Sequence, residues 1–153
     1  MMETLFKLSS LAVLPFWALM IFLPRWRVTK RLISSPLVCA LPAALYVALV
    51  IPRLAEVWQA VSRPELSGIA ALLGSPVGAT IAWLHFLAFD LFVGRWIYLD
   101  SRERGITAWV MAPVLLLTLM LGPCGFLLYL IARHARGYLH GSENVISVST
   151  GSK

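Results

Sequence analysis

The sequence predicts an all-α fold, a polytopic membrane protein built as a four-transmembrane-helix bundle with kinked helices and a short interfacial helix between spans 2 and 3. Three observations predict it. Apolar residues make up 59% of the chain against 13% charged, and the mean hydropathy is +0.82, far from a soluble composition. Apolar runs at 5–23, 33–51, 77–98 and 107–132 each supply the roughly 20 residues of helix that a bilayer core requires. Pro15, Pro42 and Pro123 fall inside three of these runs, where a missing N–H bends a helix whose neighbours can satisfy the freed carbonyl.

The 153 residues allow one domain over 1–132, followed by a polar tail over 133–153 expected to be disordered. The net charge is +6, but the 13 basic residues gather at the ends of apolar runs, where they meet lipid headgroups. Membrane lipid is therefore the expected partner and nucleic acid is not. Cys39 and Cys124 both lie within apolar runs, which suits small buried thiols and gives no disulfide framework. No small-residue cleavage site follows the apolar stretch 11–23 before Arg25, so the first run reads as a retained span.

The first span carries Lys7 close enough to its end to reach the headgroups. Pro24 ends it, and the basic loop RWRVTKR (25–31) follows, with Trp26 as an interface anchor. The second span has Pro36 in its first turn, Pro42 in its middle and Pro52 as its stop. Ala40, Ala43, Ala44 and Ala48 would let a neighbouring helix approach closely. In LAEVWQAVS (54–62), apolar positions 54, 57, 58 and 61 have helical spacing and predict the interfacial helix. PELSGIAALLGSP (64–76) is rich in Gly and Pro and reads as a partly buried loop. In the fourth span, LGPCGF (121–126) predicts a break or sharp kink. An even number of crossings places both chain ends on the side opposite the basic loop.

The third span is the exceptional one, because WLHFLAFDLFVGRWIYLD (83–100) places His85, Asp90 and Arg95 at membrane depth. Each ionisable side chain there costs about 2.5–3.5 kcal/mol on insertion scales, so each needs a partner or a task. At about 100° per residue, with His85 at 0°, Phe89, Phe92 and Trp96 fall within about 40° of it, while Asp90 lies near 140° and Arg95 near −80°. His85 thus sits in an aromatic stripe, and Asp90 faces elsewhere. Asp90 is open to two readings: a buried acid, or an ion-pair partner of Arg95 or Arg31. Arg95 can also snorkel, and Asp100 with Arg102 and Arg104 reads as a solvated turn. His85 could serve as an axial ligand to a pigment metal, but its spans hold no second ligand for a metal cluster, and no metal or cofactor is expected.

AVLPFW (12–17), TKR (29–31), PELSGIA (64–70), WLH (83–85), DLF (90–92) with Arg95 and Asp100, and the Pro123–Cys124 pair occur in one order and register. In these pieces, over about 11–129, the chain resembles the abscisic-acid-deficient-four family of membrane proteins from plastids and cyanobacteria. Plant members of that family are required to make neoxanthin from violaxanthin. HFLAFDLFVGRW is nearest to the bacterial branch, and the lack of a transit-like stretch ahead of the first apolar run makes a bacterial or mature form the expectation.

The resemblance implies a role in carotenoid (xanthophyll) metabolism, as a neoxanthin-synthase-like epoxycarotenoid isomerase or an obligatory component of one. Opening an epoxide to an allenic alcohol needs an acid for the oxygen and a base for a carbon-bound proton, with no redox carrier. Asp90 and His85 are the candidate catalytic pair. Trp83, Phe89, Phe92, Arg95, Trp96 and Pro123 are candidates for binding a carotenoid or similar polyene, whose flat chain suits aromatic faces. Two alternatives stand beside this reading: a non-catalytic pigment- or lipid-binding protein, and a scaffold subunit assembling with other membrane proteins or as a homo-oligomer. The expected location is a bacterial inner membrane or a thylakoid- or plastid-type membrane.

Overall fold

An apolar run with one interior proline gives helix α1 (Met2–Phe22), which accommodates Pro15 and buries a stripe of Ser9, Val13, Trp17 and Met20. The structure, a computed structural model, describes residues 2–150, with side chains through Arg136. The part of the expected tail beyond Arg136 lies outside the described side chains.

The basic segment expected to be a loop is helical from Arg27: α2 (Arg27–Ser34) buries Thr29 and Ile33 on one face and leaves Arg27, Lys30 and Arg31 exposed on the other. Charge density hid a 3.6-residue period there. Ile33 consequently belongs to α2 rather than to the second span. Ser35 is extended, and its Oγ accepts from the Leu37 N–H at 3.3 Å, which starts a 3₁₀ turn at Pro36–Cys39. Pro42, near the start of α3 (Ala40–Val50), would clash with the carbonyl four residues before it, and the chain adopts the 3₁₀ form just there. Pro52 is likewise absorbed in a 3₁₀ turn, Ile51–Arg53, and does not stop the helix. The expected α4 (Leu54–Ser62) follows directly, so that Pro36–Ser62 is one helical run.

Residues 64–76, expected as a loop, contain a helix, α5 (Leu66–Gly74). Pro64 and Pro76 bracket it from outside and only Gly68 interrupts its interior, so neither proline removes one of its hydrogen bonds. Ser75 then caps α6 (Pro76–Glu103), accepting from the Gly78 N–H at 2.9 Å. Two further helices complete the chain, α7 (Ala108–Met120) and α8 (Gly122–Thr150).

Contacts fix the direction of each helix against α6. α1 runs parallel to it, since Trp83 Nε1 donates to Ser10 Oγ at 2.8 Å near one end and Tyr98 Oη donates to the Pro24 carbonyl at 2.7 Å near the other. α3 runs antiparallel, with Arg95 reaching Ile33 and Tyr46 reaching His85. α8 runs parallel: Gly122 abuts Asp90, Tyr129 meets Trp96, and Arg136 Nη2 donates to the Gly105 carbonyl at 3.0 Å.

These registers reshape the expected fourth span. α7 has 13 residues, about 20 Å of helix, against the roughly 30 Å of a bilayer core. It ends at Leu121, level with the middle of α6, and α8 turns back toward the end from which α7 came. Among the described residues, three helices are long and apolar enough to cross a membrane, Met2–Phe22, Pro36–Ser62 and Pro76–Glu103. The protein is an all-helical membrane protein in which the fourth apolar run forms a half-length hairpin. Arg133 and Arg136 therefore lie at the same end as α2 and Arg102, not at the opposite one.

The core gathers Trp17, Met20, Leu91, Ile97, Tyr98, Met111, Leu115 and Tyr129 where α1, α6, α7 and α8 meet. Trp17 lies flat on Gly94, where a Cβ would fall 2.7 Å from its Cζ3. Gly125 is equally necessary, because a Cβ there would strike the Thr118 backbone and wedge the α7–α8 hairpin open.

Two outcomes are expected. Gly94→Ala and Gly125→Ala should each lower stability by about 1–3 kcal/mol, read as a lower midpoint of thermal unfolding in mild detergent, whereas Gly68→Ala, with nothing within 4 Å of the new Cβ, should not lower it. In a background of Cys39→Ala and Cys124→Ala, cysteines at Arg31 and Arg136 should react with an impermeant thiol reagent from one side of sealed vesicles. A cysteine at Glu3 should react from the other, and labelling of 136 together with 3 would refute the hairpin.

Candidate functional site

The break between α7 and α8 places a carboxylate where the chain turns. Asp90 stands midway along α6, and Gly122, the first residue of α8, has no side chain because the Asp90 carboxyl carbon lies 2.9 Å from where its Cβ would be. Pro123 follows in the first turn, a position where its missing N–H leaves no intrahelical bond unmade. The carboxylate thus sits at the positive end of the α8 dipole. Asp90 is half-buried, and among the described residues no ion pair and no side-chain hydrogen bond reaches it. The pairing with Arg95 or Arg31 that its sequence position allowed is not formed.

Arg95 is occupied elsewhere. Its Nε donates to the Ile33 carbonyl at 2.7 Å and its Nη2 to the Ser34 carbonyl at 2.5 Å. α2 ends at Ser34 before the extended Ser35 and Pro36, so its last carbonyls have no intrahelical donor, and the guanidinium supplies one.

His85 lies on the outer face of α6. It stacks on Phe89 with ring centroids 4.6 Å apart, and Tyr46 of α3 approaches it at 5.6 Å. Phe86 meets the imidazole edge-on at 6.3 Å, and Phe86, Phe89 and Phe92 remain 55%, 59% and 50% exposed. The separation of His85 from Asp90 around the helix is as the residue period predicts.

The remaining candidates divide. Trp83 is held by α1, stacking on Phe6 at 5.0 Å as well as bonding Ser10. Trp96 is held by α8, between Phe126 at 5.8 Å, Tyr129 at 5.4 Å and the Arg133 guanidinium at 5.6 Å. The structure therefore brings Asp90 together with Gly122 and Pro123, and His85 together with Phe89, Phe86 and Tyr46. It sets Trp83, Arg95 and Trp96 to joining helices. Cys124 is exposed and Cys39 half-buried, and both are free thiols.

A polar cluster at the basic end went unread in the sequence. The Asp100 carboxylate accepts from Arg104 Nε at 2.8 Å, pairs with Arg133 Nε at 3.1 Å and accepts from the Tyr129 hydroxyl. Its side chain is 14% exposed, so it is no solvated turn residue but the joint that fastens α8 to α6. Two i,i+4 pairs carried the signal, Asp100 with Arg104 and Tyr129 with Arg133.

Fold and site together define an all-helical membrane protein with a half-length helical hairpin whose tip is closed by a carboxylate of the adjacent long helix. The chain belongs to the ABA DEFICIENT 4-like family, whose model matches residues 4–129, from the first turn of α1 to the tyrosine on Asp100. It is similar to Protein ABA DEFICIENT 4, chloroplastic, from Arabidopsis thaliana, with 34% identity over 110 residues, 68% of this chain and 50% of that protein. The chain thus spans half the length of this curated relative. No solved structure matches.

Arg95→Ala removes two charge-assisted bonds to otherwise unpaired carbonyls and is expected to cost about 1.5–3 kcal/mol of stability per bond lost. Arg95→Lys should recover only part of it, since an ammonium lacks the guanidinium fork. Unfolding midpoints of the two variants check this, and equal loss in both would remove the role of the fork.

Proposed function

We propose that the chain acts on a carotenoid within the membrane, by resemblance as an epoxycarotenoid isomerase or an obligatory component of one, with the reacting end group held beneath the α7–α8 tip. The observation that carries the reading is Asp90: a half-buried carboxylate midway along α6, fixed by Gly122 and taken by no other side chain described. A half-buried carboxyl group that no other described side chain occupies is free to exchange a proton with an epoxide oxygen. His85, about 140° round α6 from Asp90, serves as the base for the carbon-bound proton only if the end group winds round the helix from one to the other; one proton then enters, one leaves, and no electron carrier is needed. The exposed rings of Phe86, Phe89 and Phe92 supply a wall for the polyene. The parallel rise of α1 and α6, with the antiparallel run Pro36–Ser62 between them, supports a multi-pass arrangement with the arginine-rich end on the cytoplasmic or equivalent side.

A pigment-binding role without chemistry draws on the same aromatic wall, and Asp90 separates the two. The experiment is production of the protein in a host that makes an epoxycarotenoid, with chromatography of the extracted pigments and of pigment bound to the purified protein. The expected result is a new isomer that falls by at least about 10²-fold in Asp90→Asn and His85→Ala. Bound but unaltered pigment, indifferent to both substitutions, would favour binding alone. An unchanged pigment profile with nothing bound would overturn the carotenoid reading.

A further inference from the structure

At the basic end of the bundle, away from the α7–α8 tip, a cavity of about 630 Å³ opens between α1, α2 and the turn Pro36–Cys39. Phe16, Val28, Leu32, Leu37 and Val38 form its apolar wall, and Arg31 and Ser35 are its polar members. The volume lies within the roughly 300–1,000 Å³ of ordinary ligand pockets.

The period of α2 explains the arrangement. Thr29 and Ile33 turn inward and are fully buried, Val28 and Leu32 one position before them line the cavity while staying 42% and 39% exposed, Arg31 stands on the same side as these two, and Arg27 and Lys30 lie outside the lining. Charge is unbalanced there to an unusual degree. Between Glu3 and Glu56 the sequence has no acidic residue, and none of the ion pairs among the described residues involves Arg25, Arg27, Lys30 or Arg31. Trp26, half exposed beside this segment, marks the depth at which headgroups begin. An apolar groove opening outward at that depth, with the Arg31 guanidinium, unpaired among the described residues, at its edge, is complementary to a molecule with a hydrocarbon chain and a phosphate.

We propose that this groove is a binding site for an anionic phospholipid, with one acyl chain on Phe16, Val28, Leu32, Leu37 and Val38 and the headgroup phosphate on the Arg31 guanidinium. Arg31 presents the planar donor fork that fits two phosphate oxygens at once, and Arg27 and Lys30 add attraction without direct contact. The site is independent of the carotenoid reading, sharing none of its residues.

The test is native mass spectrometry of the full chain in mild detergent, titrated with phosphatidylglycerol and with phosphatidylcholine of the same acyl chains. Wild type is expected to retain phosphatidylglycerol over phosphatidylcholine by roughly fivefold, the effect of one basic side chain at an anionic headgroup, and to lose the preference as salt is raised. Arg31→Gln should abolish the preference, and Leu32→Trp, which fills the groove, should lower retention of both lipids. Lys7→Gln, at the other end of α1, should change nothing. Equal retention of the two lipids by wild type, a preference unmoved by salt or by Arg31→Gln, or displacement of phosphatidylglycerol by soluble glycerol phosphate as effectively as by intact lipid would each overturn the proposal. The salt titration uses wild type alone and decides the matter even if a variant fails to fold.

Discussion

The second half of the molecule depends on α8 lying along one half of α6 in the same direction. Two carboxylates of α6 set that register, Asp90 against Gly122 at the tip of the hairpin and Asp100 on Tyr129 and Arg133 nearer its base. A turn at this height must leave no backbone group bare, because hydrocarbon offers no hydrogen bonds. Part of that demand is met at the tip itself: the Leu121 carbonyl accepts from the Cys124 N–H at 2.8 Å and the Gly125 N–H at 3.2 Å, and the Leu121 N–H donates to Leu117 at 2.7 Å. Gly122 and Gly125 let the turn close, each because a neighbour occupies the space that a side chain would fill. The break is therefore a built turn and not a frayed helix.

A hairpin that covers half of α6 leaves the other half without it. That uncovered length carries His85, Phe86 and Phe89, which explains why a helix with a fully buried face at Leu84, Ala88, Leu91 and Ile97 also presents a run of exposed rings. The first three helical segments are built the opposite way. They hold α6 from its other sides, by Trp17 seated in the gap at Gly94 and by Arg95 closing the end of α2. Of the neighbouring helices, α3 reaches this face through Tyr46 at His85, and Phe86, Phe89 and Phe92 stay exposed beside it.

Much of this was legible in the chain and some was not, for definable reasons. Apolar length gave the all-α class and three of the long helices, and helical spacing gave α4 to the residue. Pro123 between two glycines marked the break. What the sequence could not show was the direction of the chain after the break. α7 and the apolar start of α8 together contain about as many residues as one crossing, roughly 20, so hydropathy reads two half-lengths as one span. α2 was hidden because four cations in seven residues dominate any average, while the buried pair Thr29 and Ile33 is visible only by period. The acceptors that Arg95 meets are backbone carbonyls, which carry no signature in sequence. At the candidate site the aromatic stripe around His85 and its divergence from Asp90 followed from 100° per residue alone. That Asp90 would meet a glycine of another helix required the fold.

The contrast between Asp90 and Asp100 argues for which of them has a task. Both are carboxylates of the same helix, ten positions apart and so about 80° apart around it at 100° per residue, and both face α8. Asp100 accepts from the Arg104 guanidinium and the Tyr129 phenol and pairs with the Arg133 guanidinium, partners that keep a poorly solvated carboxylate ionised and let it hold a joint. Loss of either guanidinium would still leave the other on the carboxylate, which is how a structural ion cluster behaves. Asp90 receives no such set, although Arg95 is only five residues away on the same helix and long enough to bend toward several neighbours. Its guanidinium is instead committed to the end of α2 on another side of α6. Asp90 is thus a half-buried carboxylate midway along α6 that abuts a glycine and pairs with no described cation. That contrast, one carboxylate fully engaged and the other without a side-chain partner among the described residues, is what supports the proposal that Asp90 supplies a proton within the membrane.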